Sequence, residues 1–277
     1  MSFLPAADPC RTARPFLSRV SEALYEQDGD LLVPSPITAG PWAKDAQHGG
    51  AVAAILARTI ETVPSPLPVQ VVRLTVELLR PVPIRPLRAE AVVVRPGKKV
   101  QLVDVRLAAD GVDVAMARAL RIRSQSVEVP AQPPERASLH APPESATPID
   151  RSAERVPYAE AFDLRFVKGA WEELGPVTMW TRLRSAVVAG EDPTALQRTC
   201  AAADFGNGVS RILDFDTHVF INPDLTVSFS RVPVGEWIGF DVVSRLSGDG
   251  YGQAESLIFD PSGPVGRAVQ SLIVEAR

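Results

Sequence analysis

Two cysteines in 277 residues, Cys10 and Cys200, are too few for a disulfide framework, and neither sits at a metal-ligand spacing. They read as reduced thiols in a reducing compartment. An excess of Lys and Arg is missing too: the formal net charge is −4, which leaves no electrostatic basis for a nucleic-acid partner. The longest clearly apolar stretch, Ala51 to Ala57, is far short of a membrane span, and the N-terminal residues through Phe16 contain no signal-peptide core. These absences leave a cytoplasmic chain with no membrane partner as the expectation. No serine-centred nucleophile elbow, phosphate-binding loop or metal cluster occurs either, so neither metal nor cofactor is expected. What remains is 45% hydrophobic and 22% charged, a globular balance in a chain long enough for one large domain or two ordinary ones.

An internal repeat favours two. Leu74-Thr75-Val76 returns as Leu225-Thr226-Val227, a displacement of 151 (225 − 74), and the same displacement matches Arg80 to Arg231, Gly97 to Gly248, Val114 to Val265 and Ala117 to Ala268. Between the copies, Ser124 to Tyr158 carries seven prolines, which remove backbone donors and bias their neighbours toward extended backbone. This stretch reads as a linker over the surface. The expected organisation is an N-terminal unit at 1–124, a linker at 125–158 and a C-terminal unit at 159–277.

Both halves share one order of elements. After Gly49-Gly50, the residues Val52, Ile55, Leu56, Thr59 and Ile60 fall at helical spacing, and the alanines between them allow close packing on more than one side. Extended segments follow at Val71–Leu79, Leu87–Arg95, Val100–Ala108 and, after an Asp110-Gly111 turn, Val114–Ile122. In the second half Asp192 is the expected N-cap with Pro193 at the first helical position. Leu196, Cys200, Ala203 and Asn207 lie along one face, and Gly206 and Gly208 are the expected terminators. Strands are expected at Leu225–Arg231, Trp237–Leu246, Gln253–Phe259 and Val265–Val274, with Phe162–Phe166 and Val177–Leu183 ahead of the helix. One helix followed by long strands, twice, predicts an α+β fold in which an antiparallel sheet wraps a central helix; a doubly wound fold would need helices between the strands.

Three segments carry a resemblance to a known family: His48-Gly49-Gly50-Ala51 at the first helix, Ala202-Ala203-Asp204 late in the second, and Phe220 to Val227 together with the final strand Arg267-Ala268-Val269-Gln270. In these the chain resembles the double-hotdog acyl-CoA thioesterases of the acyl-CoA thioesterase II type. The resemblance implies two tandem hotdog units and hydrolysis of an acyl-CoA substrate. It also implies catalytic roles for Asp204, Asn222 and Gln270, with Asn222 standing where the best-known branch has a hydroxyl. A homodimer is common in this class, although nothing in the sequence shows one.

The residues themselves leave alternatives open. Thioester hydrolysis needs a held water, a proton acceptor and donors for the oxyanion; a carboxylate in apolar company, with an amide beside it, suits the second task. Asp204 reads equally as a solvated residue near a helix C-terminus, an electrostatically poor place for an acid. Gln270 lies among apolar neighbours and needs partners, whether water or backbone. Asn222 before Pro223 is a turn residue or a site residue. His48, Gly49 and Gly50 offer a substrate-binding helix start or a close packing contact, and His48 is a general base by type. Val71 and Ala119 occupy the first-half positions of Asn222 and Gln270, so that half reads as catalytically silent. Arg80 and Arg231 are either CoA-phosphate ligands or solvated strand ends. A hotdog enoyl-thioester hydratase or dehydratase would need an Asp/His pair, and no histidine stands beside Asp204 in sequence. A non-catalytic acyl-thioester binding protein would need only the pocket.

Overall fold

The computed structural model describes residues 23–130, 140–149 and 156–277. Its elements are β1 (Tyr25–Asp28), β2 (Leu31–Pro34), α1 (Gly49–Glu61), β3 (Val69–Leu78), β4 (Leu87–Arg95), β5 (Val100–Ala109) and β6 (Val112–Arg123), followed by β7 (Thr147–Pro148), β8 (Phe162–Lys168) and β9 (Val177–Leu183). Then come α2 (Ala195–Ala203), α3 (Gly206–Val209), β10 (His218–Ile221), β11 (Asp224–Phe229), β12 (Ile238–Leu246), β13 (Tyr251–Asp260) and β14 (Gly263–Ala276).

The strands form one large sheet in the order β1-β2-β4-β5-β6-β3-β11-β14-β13-β12-β9-β8-β7, with β10 also on β14. Every pairing between named strands is antiparallel. The repeat governs register as well as sequence. Thr75 pairs with Arg118 and Thr226 with Val269, positions related by the same displacement. The halves meet where β3 pairs with β11, with Thr226 opposite Thr75 and the two hydroxyls 3.2 Å apart. The repeated tripeptide therefore pairs with its own copy.

Helix α1 is enclosed, with ten of its thirteen residues buried. Its small residues permit this: a Cβ on Gly50 would come within 2.4 Å of the Ala201 carbonyl of α2. The Asp110-Gly111 turn has both residues at positive φ, as a two-residue hairpin requires.

Several local expectations change. The cap of α2 is Thr194, not Asp192: its hydroxyl accepts from Gln197 N–H, and the helix begins two residues later than Pro193 implied. Helix α2 ends at Ala203, and Gly206 opens α3 instead of terminating a longer helix. The short strands β1, β2, β7 and β10 carry too few residues to show a period. Among its described residues the proline-rich stretch contributes one strand, β7, at the sheet edge, as missing donors dictate. Its end is not on the surface, however, because Val156 and Tyr158 are buried in the core. Residues 131–139 and 150–155, and Cys10, lie outside the described residues.

Candidate active site

Asp204 caps the C-terminus of α2 after three buried alanines, and only 7% of its surface is exposed. The dipole of α2 opposes a carboxylate there. Two amide donors, a histidine and a second helix offset this. Oδ1 accepts from Asn222 Nδ2 at 2.8 Å and from Gln270 Nε2 at 2.9 Å, while Oδ2 lies 3.0 Å from His48 Nδ1. The start of α1 abuts the same oxygen: a Cβ on Gly49 would sit 2.7 Å from Oδ2. The positive end of α1 thus faces the acid, and only glycine leaves room for it.

Both amides are fixed by their second contacts. Gln270 is 1% exposed and directs Oε1 to the Asn207 backbone N–H at 3.0 Å, which forces its NH₂ group toward Asp204. Gly206 clears space for it, since a Cβ there would be 2.9 Å from Oε1. Asn222 lies in the break between β10 and β11. Against β14, the step from Ile221 to Thr226 contains one residue more than the step from Ile273 to Val269. The first half has its own irregularity at the matching place, between Val71 and Arg73. Bulges re-aim side chains, and this one turns Asn222 inward, where Nδ2 also donates to the Asp224 carbonyl at 3.1 Å. Asn207 Nδ2 donates to the Phe220 carbonyl at 2.7 Å and so ties α3 to β10. The sequence placed Asn207 only on a helix face; its tying function had no local signal.

His48 is the N-cap of α1, with Nδ1 accepting from Gly50 N–H at 3.1 Å. The same nitrogen meets Asp204 Oδ2, and a ring nitrogen cannot donate and accept through one site at once. Nδ1 therefore serves one of these partners at a time: carrying hydrogen it donates to Asp204, and without hydrogen it caps the helix. The imidazole stacks on Tyr158 with centroids 4.5 Å apart and touches Phe205. Burial, and then the Asp204 charge, holds the Tyr158 hydroxyl well above the usual phenol range, so it remains a donor, bonded to the Ala201 carbonyl. Tyr158 had been read as linker, and no local pattern marked it.

A cavity of about 450 Å³ opens at this cluster. His48, Gly49, Asp204, Asn207 and Asn222 line its polar end; most of the remaining wall is apolar, including Trp42, Phe215 and Ile221. Gln270 stands behind Asp204. Gly49 N–H has no acceptor among the described residues, whereas Gly50 N–H is taken by His48. Arg231 is not a free phosphate ligand: it forms a two-pronged pair with Asp260 at 2.5 and 2.7 Å. His140 stacks on Phe259, and His218 bonds Thr217, both away from the cavity lining. Among the described residues no group of three or more metal-ligating side chains converges, and no helix is long and apolar enough to cross a membrane.

An antiparallel sheet wrapped on central helices is the hotdog architecture. A hot dog fold protein from Alicyclobacillus acidocaldarius superposes with a TM-score of 0.70 at 18% identity, covering 91% of this chain and 96% of that one. The acyl-CoA thioesterase II TesB2 from Mycobacterium marinum gives 0.63 at 18% identity, covering 91% and 94%. The tesB protein of Mycobacterium avium subsp. paratuberculosis gives 0.64 at 17%, covering 91% and 95%. At these identities the likeness shows the fold. No curated protein matches this chain in sequence. Family models do match: the acyl-CoA thioesterase N-terminal domain over residues 38–122 and the C-terminal domain over 131–274. The chain belongs to the acyl-CoA thioesterase family.

Proposed function

We propose that the chain is built as two tandem hotdog units, 1–124 and 159–277 joined by 125–158, and hydrolyses an acyl-CoA thioester to the free acid and CoA with water activated by Asp204. The observation that carries this reading is the division of labour at one carboxylate. Oδ1 is occupied by the Asn222 and Gln270 amides, and Oδ2 is left at the cavity wall beside His48 and Gly49. In this mechanism Asp204 accepts a proton from water as the water oxygen attacks the thioester carbon. The Gly49 N–H, at the positive end of α1, meets the developing oxyanion. Collapse breaks the carbon–sulfur bond, and the proton that Asp204 took from water passes to the departing thiolate. No covalent enzyme intermediate forms. The Asp204→Asn variant should lose about 10²–10⁴-fold in kcat while keeping its circular dichroism spectrum and Tm. Thiol release measured across acyl-CoAs of several lengths tests this, and unchanged turnover in the variant would reject the assignment.

One observation favours a second reading. The Asp/His pair that a hydratase needs, missing from the local sequence, is present here as Asp204 and His48. Addition of water to a crotonyl thioester, followed by loss of enoyl absorbance with no thiol released, would establish that activity instead. Binding of an acyl thioester with neither reaction would indicate a carrier.

A further inference from the structure

Arg80 is exposed and is the only Arg or Lys among the described residues lining the cavity. It has no ion-pair or hydrogen-bond partner among the described residues, unlike its repeat counterpart Arg231. The difference is one position. Asp260 ends β13 and holds Arg231, and the matching place at the end of β5 is Ala109. The surrounding frame is equivalent, since Leu79 N–H bonds the Val114 carbonyl as Ser230 N–H bonds that of Val265. In one half, then, the guanidinium is locked by a buried acid. In the half facing the cavity that acid is absent, and Pro81 and Pro83 stiffen the chain that follows. Among the described residues, the one carboxylate lining the cavity apart from Asp204 is Glu275, and it forms no ion pair with Arg80.

We propose that Arg80 is an anion subsite at the cavity mouth that takes a phosphate group of the CoA portion of the substrate. This rests on the thioesterase reading above. Guanidinium forks match phosphate geometry, and an unpaired one costs nothing to free before the ligand arrives. The subsite selects thioesters of phosphorylated carriers over the same acyl group on a short, uncharged thiol.

The test compares hydrolysis of one acyl group carried on CoA and on pantetheine, which lacks the phosphates, by the wild type, Arg80→Gln and Ala109→Asp. Arg80→Gln should lower kcat/KM for acyl-CoA about five- to tenfold, through KM, and leave acyl-pantetheine unchanged. Ala109→Asp should do the same by recreating the Arg231–Asp260 arrangement around Arg80. Equal losses on both substrates, or none on acyl-CoA, would overturn the subsite. Calorimetric binding of CoA itself to the wild type and Arg80→Gln keeps the two readings separable. Weaker binding by the variant, with no thiol release by either protein, would sustain the subsite and reject the hydrolase; equal affinity would reject the subsite whatever the chemistry.

Discussion

At Gly49 a single hydrogen atom separates a working carboxylate from a displaced one. Its α-carbon faces Asp204 so closely that a methyl group would be 2.7 Å from Oδ2 and 3.1 Å from Oδ1. Gly49→Ala should therefore reduce kcat about 100-fold under the proposed mechanism, because the acid must rotate away from its amide donors. The position opens a helix at ordinary φ, so alanine itself is welcome there and Tm should change little. Steady-state kinetics beside a thermal melt checks both halves of that expectation; a large loss of Tm with intact turnover would contradict it. Cys200 lies one helical turn before Asp204, and burial, followed by the Glu61 charge, pushes its thiol above the usual range. A buried, protonated thiol is a poor nucleophile, so the proposed chemistry assigns the nearby cysteine no part.

Between elements, the site depends on ties that hold loops to the sheet. Asn207 joins α3 to β10 through its side chain and to Gln270 through its backbone. Asn207→Ala removes only the first tie. Asn222, two residues beyond Phe220, then loses its anchor, so kcat should fall about tenfold with KM unchanged, and burst-free progress curves on a saturating substrate measure it directly. A second tie is Asp260, whose side chain is fully buried. Burial alone would raise its pKa, yet Arg231 together with the Val234 and Ser262 N–H groups holds it below the usual carboxylate range. A depressed folded pKa gives stability that is complete above the unfolded value near 4 and lost as pH falls through the folded one. Asp260→Asn should cost about 2–3 kcal/mol at pH 7, and the difference from wild type should shrink only below about pH 4. Urea unfolding at both pH values reads this, and a constant difference would contradict it.

Across the described residues, the shared sheet, the α1–α2 contact and the candidate site span both halves. His48 and Gly49 come from the first, Asp204, Asn222 and Gln270 from the second. Gly50 sits at their contact, where an added methyl group would collide with the Ala201 carbonyl and the Tyr158 ring. Unlike its neighbour, Gly50→Ala should lower stability by about 2–4 kcal/mol, because backbone cannot move aside as a flexible side chain can. Calorimetry of the wild type should give a single unfolding transition; two resolved transitions would mean that the β3–β11 ladder does not couple the halves.

Sequence by itself determined α1, the body of α2, the long strands and the repeat, because apolar period, turn residues and duplication are local or linear properties. It also carried Asp204, Asn222 and Gln270 as candidates, through short motifs in a fixed order. Only the tertiary structure decided that His48 meets Asp204, that Asn207 and Tyr158 belong to the cluster, and that Arg231 is occupied while Arg80 has no partner among the described residues. Those facts depend on which side chains a shared sheet and packed helices bring together, and residues distant in sequence leave no pattern along the chain that reports such a contact.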